Sequence, residues 1–490
     1  MGTRARSAKA RDGLITLLGQ VLPLFAAFFS IPILIRHLGV GRYGVLALTG
    51  VFGSYFSLLD FGMGRATTKF VAQALAGSDE AFLRSSVWTA VWFQGGLGVI
   101  AGAGMALAAP WLITGFLNVA PEIAVECRDS FLVFSACIPV AMACAVFRGV
   151  LKGSQHFLSF NLLQAMTSVI LPIATAAAAS MGIDLPGVVS VQLVGLLASL
   201  SGLVAASLIH LPVLRRPAFP KIETARVLMS FGGWIMLLQV ISKAAMQVDR
   251  LLIGSLLNVR QVGYYTPAYT LSSKMMLIPS SLDTMVFPVF GAMSQSQDGP
   301  RLEKACALTW KYLLILLAPL AVLLAVFAEP ILTLWPGQDF ALHSGASLRW
   351  LSIGFLFHAF AWLPSCVFQG VGKPGIIAVV TLLELPLYLG AAYWMILALG
   401  IEGAALAWAG RGAIEAVSLT LAVFLTLPVR PRNCLGHGVW QAGASFCLLY
   451  ASMILIRVFS SRLGAWECAA IAALLAGYCA GSIFFALDEG

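Results

Sequence analysis

Leu38-Gly-Val-Gly-Arg-Tyr-Gly44 returns 219 residues later as Leu257-Asn-Val-Arg-Gln-Val-Gly263. Two further pairs keep almost the same spacing: Val146-Phe-Arg-Gly-Val150 with Val367-Phe-Gln-Gly-Val371 at 221, and Met181-Gly-Ile-Asp184 with Leu399-Gly-Ile-Glu402 at 218. One coincidence of this kind is cheap, but three in the same order at a near-constant offset mark an internal duplication. What is duplicated follows from the residues between the anchors. The chain is 60% apolar and only 10% charged, against roughly 25% charged in a soluble domain. Runs such as Gly13 to Ile35, Val87 to Ala109 and Trp466 to Ala486 reach the ~20 apolar residues that cross a hydrocarbon core. With no water there to satisfy the backbone, such runs must be helices.

The pattern predicts fourteen spans, near 14–35, 43–63, 87–109, 131–150, 158–181, 187–211, 230–253, 262–286, 311–334, 348–370, 376–399, 402–427, 439–457 and 466–487. Six lie between Gly44 and Gly263. An even number gives the two copies one orientation, as in parallel repeats related by an axis along the membrane normal. The expected fold is an all-α polytopic membrane protein with an N-terminal tail (1–12), a six-helix lobe (13–215), a linker (216–229), a second six-helix lobe (230–428) and two additional helices (429–490). The basic start, Arg4, Arg6, Lys9 and Arg11, precedes an apolar run with no small-residue cleavage site, so it reads as a retained first span. Nineteen Lys and Arg fall in the segments on the N-terminal side of the membrane and seven on the other. The positive-inside rule then puts both termini in the cytoplasm.

A charge at the bilayer centre costs at least ~2.5 kcal/mol and is expected to face a cavity or a partner. In span seven, Gln239, Lys243, Gln247 and Arg250 fall within an arc of about 80° at 100° per residue, one polar stripe on an apolar helix. Span eight repeats the device with Thr266, Thr270, Lys274 and Ser281. Two buried lysines repel unless an anion joins them. They point to a wet cavity that accepts an anionic group, or else to ion pairs with Asp249, Asp283, Asp60 or Glu384. Arg411 and Glu415, at i and i+4 on span twelve, can satisfy each other. Asp249 and Arg250 read as interfacial, Asp60 as the end of span two beside Gly62, Gly64 and Arg65, and His358 as a lone intramembrane proton carrier.

No Gly-x-x-x-x-Gly-Lys-Ser/Thr loop, His-Glu-x-x-His or Gly-x-Ser-x-Gly occurs, and the nine cysteines form no Cys-x-x-Cys pair or Cys/His cluster. ATP hydrolysis, metal chemistry and a serine nucleophile therefore have no motif to rest on, and the expectation is a non-enzymatic protein without cofactor, metal or nucleic-acid partner.

Pro32-Ile-Leu-Ile-Arg-His-Leu-Gly-Val-Gly-Arg-Tyr-Gly-Val-Leu-Ala47, Leu58-Leu-Asp-Phe-Gly-Met-Gly64, Val248-Asp-Arg-Leu-Leu-Ile-Gly254 and Val262-Gly-Tyr-Tyr-Thr-Pro-Ala268 resemble polysaccharide-export flippases of the Wzx type. Their superfamily also holds the peptidoglycan-precursor flippase MurJ and the multidrug and toxin extruders. The resemblance implies two six-helix lobes in a V around a central cavity lined by spans one, two, seven and eight. It implies alternating access that carries an undecaprenyl-diphosphate-linked oligosaccharide from the cytoplasmic to the periplasmic leaflet of a bacterial inner membrane. Lys243 and Lys274 would attract the diphosphate, Gln239, Gln247, Thr270 and Tyr269 would bind sugar hydroxyls, and Arg65 and Arg36 would guide the headgroup at the two mouths. A coupling ion, H+ or Na+, and the polymerase and glycosyltransferases of the same pathway are the implied partners, besides membrane lipid. A cation-coupled drug extruder of the same fold would want an acidic cavity, and a polysaccharide polymerase or ligase a large outer loop; neither is evident.

Overall fold

A computed structural model describes residues 2–57, 62–220, 246–282, 286, 290, 299–427, 429–434, 439–459, 470, 471, 473, 474, 477 and 478, with only the helical course given for 2–21 and 439–442. Every regular element among them is helical. Nine helices among the described residues are long and apolar enough to cross a membrane. The chain divides into two compact units, Met1–Gly263 and Tyr264–Gly490.

In the first unit, helix α1 (Gly2–Phe56) holds the first two predicted spans. Gly39, at φ +79° and ψ +161°, breaks its course inside the Leu38–Gly44 element, a conformation open to a residue without Cβ. Helix α2 (Met63–Ala76) follows a left-handed Gly62. The sequence suggests a surface helix here with Phe70, Ala74 and Leu75 on its apolar side; Phe70 and Ala74 are buried and Leu75 is exposed. Then come α3 (Glu80–Trp111), capped by the Asp79 carboxylate accepting from the Phe82 N–H, and α4 (Ala124–Gly153). Span five is α5 (Phe157–Ala165) and α6 (Leu171–Ser180), joined through a wider π turn at Met166–Ile170. Helix α7 (Leu185–His210) is span six, and α8 (246–256) is the described end of span seven.

Span eight is α9 (Val259–Ser273), a tighter 3-10 turn at Lys274–Met276 and α10 (277–282). The second unit continues with α11 (Gly299–Val326), α12 (Ala328–Leu334), α13 (Gln338–Gly370), α14 (Pro374–Leu399), α15 (Ile401–Thr426), α16 (Pro431–Cys434) and α17 (Val439–Phe459). Predicted span nine, 311–334, therefore lies too far along: the apolar helix is Pro300–Val326. Phe327 leaves the helical region at φ −102° and ψ +26°, and Pro330, lacking an N–H, is tolerated within the first turn of α12. The described residues of span fourteen are helical, and Ile471, Leu474 and Tyr478 pack with Leu449 and Met453 of α17 and with Ala318 and Val322 of α11.

In lipid, helices do not gain from hiding apolar faces from water, so backbone approach through small residues carries much of the packing. An added Cβ on Gly98 or Gly102 of α3 would lie 2.7 Å from Pro139 Cα and 2.6 Å from the Ser135 carbonyl oxygen of α4. On Gly149 or Gly153 of α4 it would lie 2.6 Å from the Gly64 or Thr68 oxygen of α2. On Gly354 it would meet Ala409 Cα, and on Gly412 the Gly354 oxygen, where α13 and α15 pack. Gly149 and Gly153 belong to the repeated Val146-Phe-Arg-Gly-Val150 region, whose glycines read from sequence as serving the turn into span five. Their role is instead this small-xxx-small seam, and Gln155, at φ +60°, takes the left-handed position of the turn.

Gly153→Leu is expected to cost about 1–3 kcal/mol by overpacking and to lower the melting temperature of the purified protein. Gly375→Leu, with nothing within 4 Å of its Cβ position, is expected to leave it unchanged.

Candidate functional site

The two copies of the seven-residue element meet each other within the first unit. A Cβ on Gly44 would overlap the Val259 carbonyl oxygen, and a Cβ on Gly263 the Val40 carbonyl oxygen. Val259 is the repeat partner of Val40, and Gly263 that of Gly44, so the contact is reciprocal, as an isologous interface requires. Asn118 fastens it. Its N–H donates to the Gly254 oxygen (3.0 Å), its carbonyl accepts from the Val259 N–H (3.2 Å), and its Nδ2 donates to the Ser255 and Leu257 oxygens (2.9 and 3.1 Å). Arg42 is held aside by a two-pronged pair with Glu126, at 2.6 and 2.8 Å. Leu38–Arg42, Asn118–Ala120 and Asn258–Arg260 line a cavity of about 590 Å³.

Among the expected site residues, Gln239, Lys243 and Asp60 lie outside the described residues, as does Asp283. Arg36 and Arg65 are exposed on α1 and α2. Gln247 is half-buried, with Oε1 lacking a hydrogen-bond partner. Asp249 is fully buried within the protein and Arg250 nearly so. The Asp249 carboxylate accepts from the Arg250 N–H at 2.8 Å and lies 3.7 Å from its Nε, and Arg250 acts electrostatically on the buried Tyr43 of the first repeat element. A buried charge needs such partners.

The span-eight residues belong to the second unit. Lys274 is exposed and makes no ion pair among the described residues, and Thr270 is half-buried. Tyr269 is buried against Phe355 and Trp408, with ring centroids 5.3 and 6.1 Å away. The 3-10 turn at Lys274–Met276 adds about 60° of rotation over three residues relative to an α-helix. That shifts Ser281 about 40° beyond Lys274, and its hydroxyl donates to the Leu277 oxygen at 2.7 Å.

A second polar constellation is buried in this unit. His358 Nδ1 lies 2.8 Å from Glu415 Oε2, and Arg411 Nη2 lies 3.8 Å from the same oxygen. The Arg411 guanidinium sits 5.4 Å from the Tyr388 ring centroid. Glu384 is buried beside Ser418, Arg411 and Glu415, and with Tyr388 and Arg411 it lines a cavity of about 400 Å³. The i, i+4 spacing reveals the Arg411–Glu415 pair in the sequence, and His358 is visible as an intramembrane histidine. Glu384 appears there only as an alternative partner for the lysines. Its place beside Arg411 depends on the packing of α14 on α15, which no local spacing encodes.

A family profile described as Polysaccharide biosynthesis protein matches residues 33–343. The chain is 23% identical over 420 residues, 84% of its length and 96% of the relative's, to a Shigella flexneri protein provisionally named as an O-antigen transporter. It is 23% identical over 441 residues, 85% of the chain and 82% of the relative, to the uncharacterized membrane protein EpsK of Bacillus subtilis strain 168. Among solved structures, an inward-facing multidrug resistance MATE transporter of the MOP superfamily matches with a TM-score of 0.73 at 16% identity, covering 84% of this chain and 97% of that one. The lipid II flippase MurJ in an inward closed conformation matches at 0.68 and 15%, covering 96% and 98%. The fold is thus that of MATE and MurJ transporters.

Gly44→Val is expected to push the repeat elements apart. Overpacking of about 1–3 kcal/mol makes local opening roughly tenfold more frequent, so a cysteine replacing the fully buried Val262 reacts with a maleimide about tenfold faster. An unchanged labelling rate would mean that the reciprocal glycine contact does not hold the elements together. With a family profile over most of its length and a multi-pass helical fold to match, this chain belongs to the polysaccharide biosynthesis protein family.

Proposed function

We propose that the protein is a flippase for a polyprenyl-diphosphate-linked oligosaccharide, carried by alternating access from the cytoplasmic to the periplasmic leaflet of a bacterial inner membrane, with both termini cytoplasmic. The full-length likeness to the Shigella flexneri transporter carries this reading. The physical task is to take sugar hydroxyls and a diphosphate through a region where each unpaired polar group costs several kcal/mol. Lys243 and Lys274 neutralise the diphosphate, and Gln239, Gln247 and Thr270 bind sugar hydroxyls. Asp249, Arg250 and Tyr269 support these positions from the packed interior. Arg36 and Arg65 meet the headgroup at the two mouths, and the polyprenyl tail stays in lipid. The mating of Leu38–Gly44 with Leu257–Gly263 closes one end of the path and parts when that end opens.

The energy source is an H+ or Na+ gradient, with the His358, Glu384, Arg411 and Glu415 cluster as its carrier. With both carboxylates ionised and His358 neutral, the cluster holds one negative charge in excess. One proton or one monovalent cation closes the balance, and a charge left uncompensated in a membrane interior is costly.

In a strain lacking the protein, the lipid-linked repeat unit is expected to accumulate on the cytoplasmic leaflet; normal delivery to the periplasm would refute the assignment. Lys243→Ala with Lys274→Ala is expected to lower delivery at least roughly tenfold, the factor given by 1.4 kcal/mol, at unchanged protein level in the membrane. Glu384→Gln, which removes the excess charge, is expected to abolish the response of transport to an imposed proton or sodium gradient while ungated exchange persists. A full gradient response in that variant would remove the cluster from coupling.

A further inference from the structure

Three cations converge at one end of the first unit. Arg148 and Lys152 stand one turn apart on α4, and Arg65 on α2 directly follows Gly64, whose carbonyl oxygen faces Gly149 at the glycine seam. Lys152 interacts electrostatically with both Arg148 and Arg65. Arg65 and Lys152 are exposed and Arg148 is half-buried, and none of the three makes an ion pair among the described residues. Like charges one helical turn apart repel. Here a third is added by a helix contact too close to relax, because Gly149 and Gly153 leave no room for any side chain.

The cluster also has a fixed floor. The Lys152 ammonium lies 4.5 Å from the centroid of the Phe160 ring of α5. Arg148 donates from Nε to the Cys144 oxygen at 3.3 Å and from Nη1 to Gln164 Oε1 at 3.4 Å. The start of α5 is in turn tied to the end of α7, where the His156 and His210 rings stack at 3.8 Å and Ser159 hydrogen-bonds His210 Nε2. An orienting role for basic residues needs only their number near a span end, not convergence on one point. Two guanidinium groups and an ammonium close enough to repel one another suit the oxygens of a phosphate group, whose charge relieves that repulsion. Basic pockets between spanning helices are where phosphorylated lipid headgroups bind.

We propose that Arg65, Arg148 and Lys152 form a binding site for a phosphate-bearing lipid headgroup, at the span ends of the first unit and separate from Lys243 and Lys274. The occupant is either the diphosphate of a polyprenyl lipid waiting to be carried or the phosphate of a resident anionic phospholipid. The site requires no transport, so it stands or falls independently of the flippase assignment.

Its test uses the purified full-length protein in neutral detergent, with farnesyl diphosphate and phosphatidylglycerol as separate probes and bound lipid counted by native mass spectrometry. At least one probe is expected to bind stoichiometrically, and the Arg148→Gln, Lys152→Gln double variant and Arg65→Gln are each expected to weaken it at least roughly tenfold. Preference for farnesyl diphosphate supports the site with the carried lipid as its occupant, and preference for phosphatidylglycerol supports it with a resident lipid. Arg65 and Lys152 are exposed and Arg148 is half-buried, so each variant's melting temperature is measured beside its lipid count, and Arg65→Gln, which touches neither α5 contact, is expected to keep the wild-type value. Arg215→Gln, an exposed cation beyond His210, serves as the control and is expected to bind normally. Undiminished binding by the cluster variants, an equal loss in Arg215→Gln, or no binding of either probe by the wild type would each overturn the proposal.

Discussion

Backbone-to-backbone approach through glycine holds this protein together. The hydrocarbon around the spans is as apolar as their own leucines, so helices gain by close contact and hydrogen bonding rather than by escape from water. Gly98 and Gly102 seat α3 on α4, Gly149 and Gly153 seat α4 on α2, and Gly354 and Gly412 join α13 to α15. The contact between the repeat copies has the same character: Gly44 and Gly263 each lie on the carbonyl of the other's paired valine. A duplicated gene carries such a contact in both copies at once, because one self-complementary surface supplies both halves.

Polar groups follow from that frame. Close packing leaves few places for a charge, and those that remain are paired or turned toward a cavity. Asp249 and Arg250 bury together, Glu415 takes both His358 and Arg411, and Arg42 is locked to Glu126. Glu384, buried beside Arg411 and Ser418, is turned toward a cavity. At one end of the first unit, Arg65, Arg148 and Lys152 of α2 and α4 make no ion pair among the described residues. The first constellation is the proposed ion carrier and the second the proposed headgroup site.

Much of this was legible in the residues. The apolar runs yield the helices, and the offsets of three short anchors yield the duplication, since both rest on patterns within one segment or between identical segments. Span nine was misplaced because apolarity continues through Phe327 while the helix does not. That Asp249 and Arg250 are buried within the protein depends on packed neighbours that no local pattern names. Tyr269 is an ordinary polar-tipped aromatic beside the polar stripe of span eight until Phe355 and Trp408 close around it. The glycines of Val146-Phe-Arg-Gly-Val-Leu-Lys-Gly153 invite a turn assignment, yet their partners Gly64 and Thr68 lie some eighty residues earlier.

The residues alone determined that this is a many-span helical membrane protein, built twice in one orientation and without the motifs of common hydrolytic or metal chemistry. Those properties follow from hydropathy, length and repetition, which are additive along a chain. Tertiary structure decided which glycines are contacts and which are turns, that the two repeat elements seat on each other, and that Glu384 joins Arg411, Glu415 and His358. Each of these is a meeting of segments far apart in sequence. Its energy depends on distances that only packing sets, so no local pattern could have contained it.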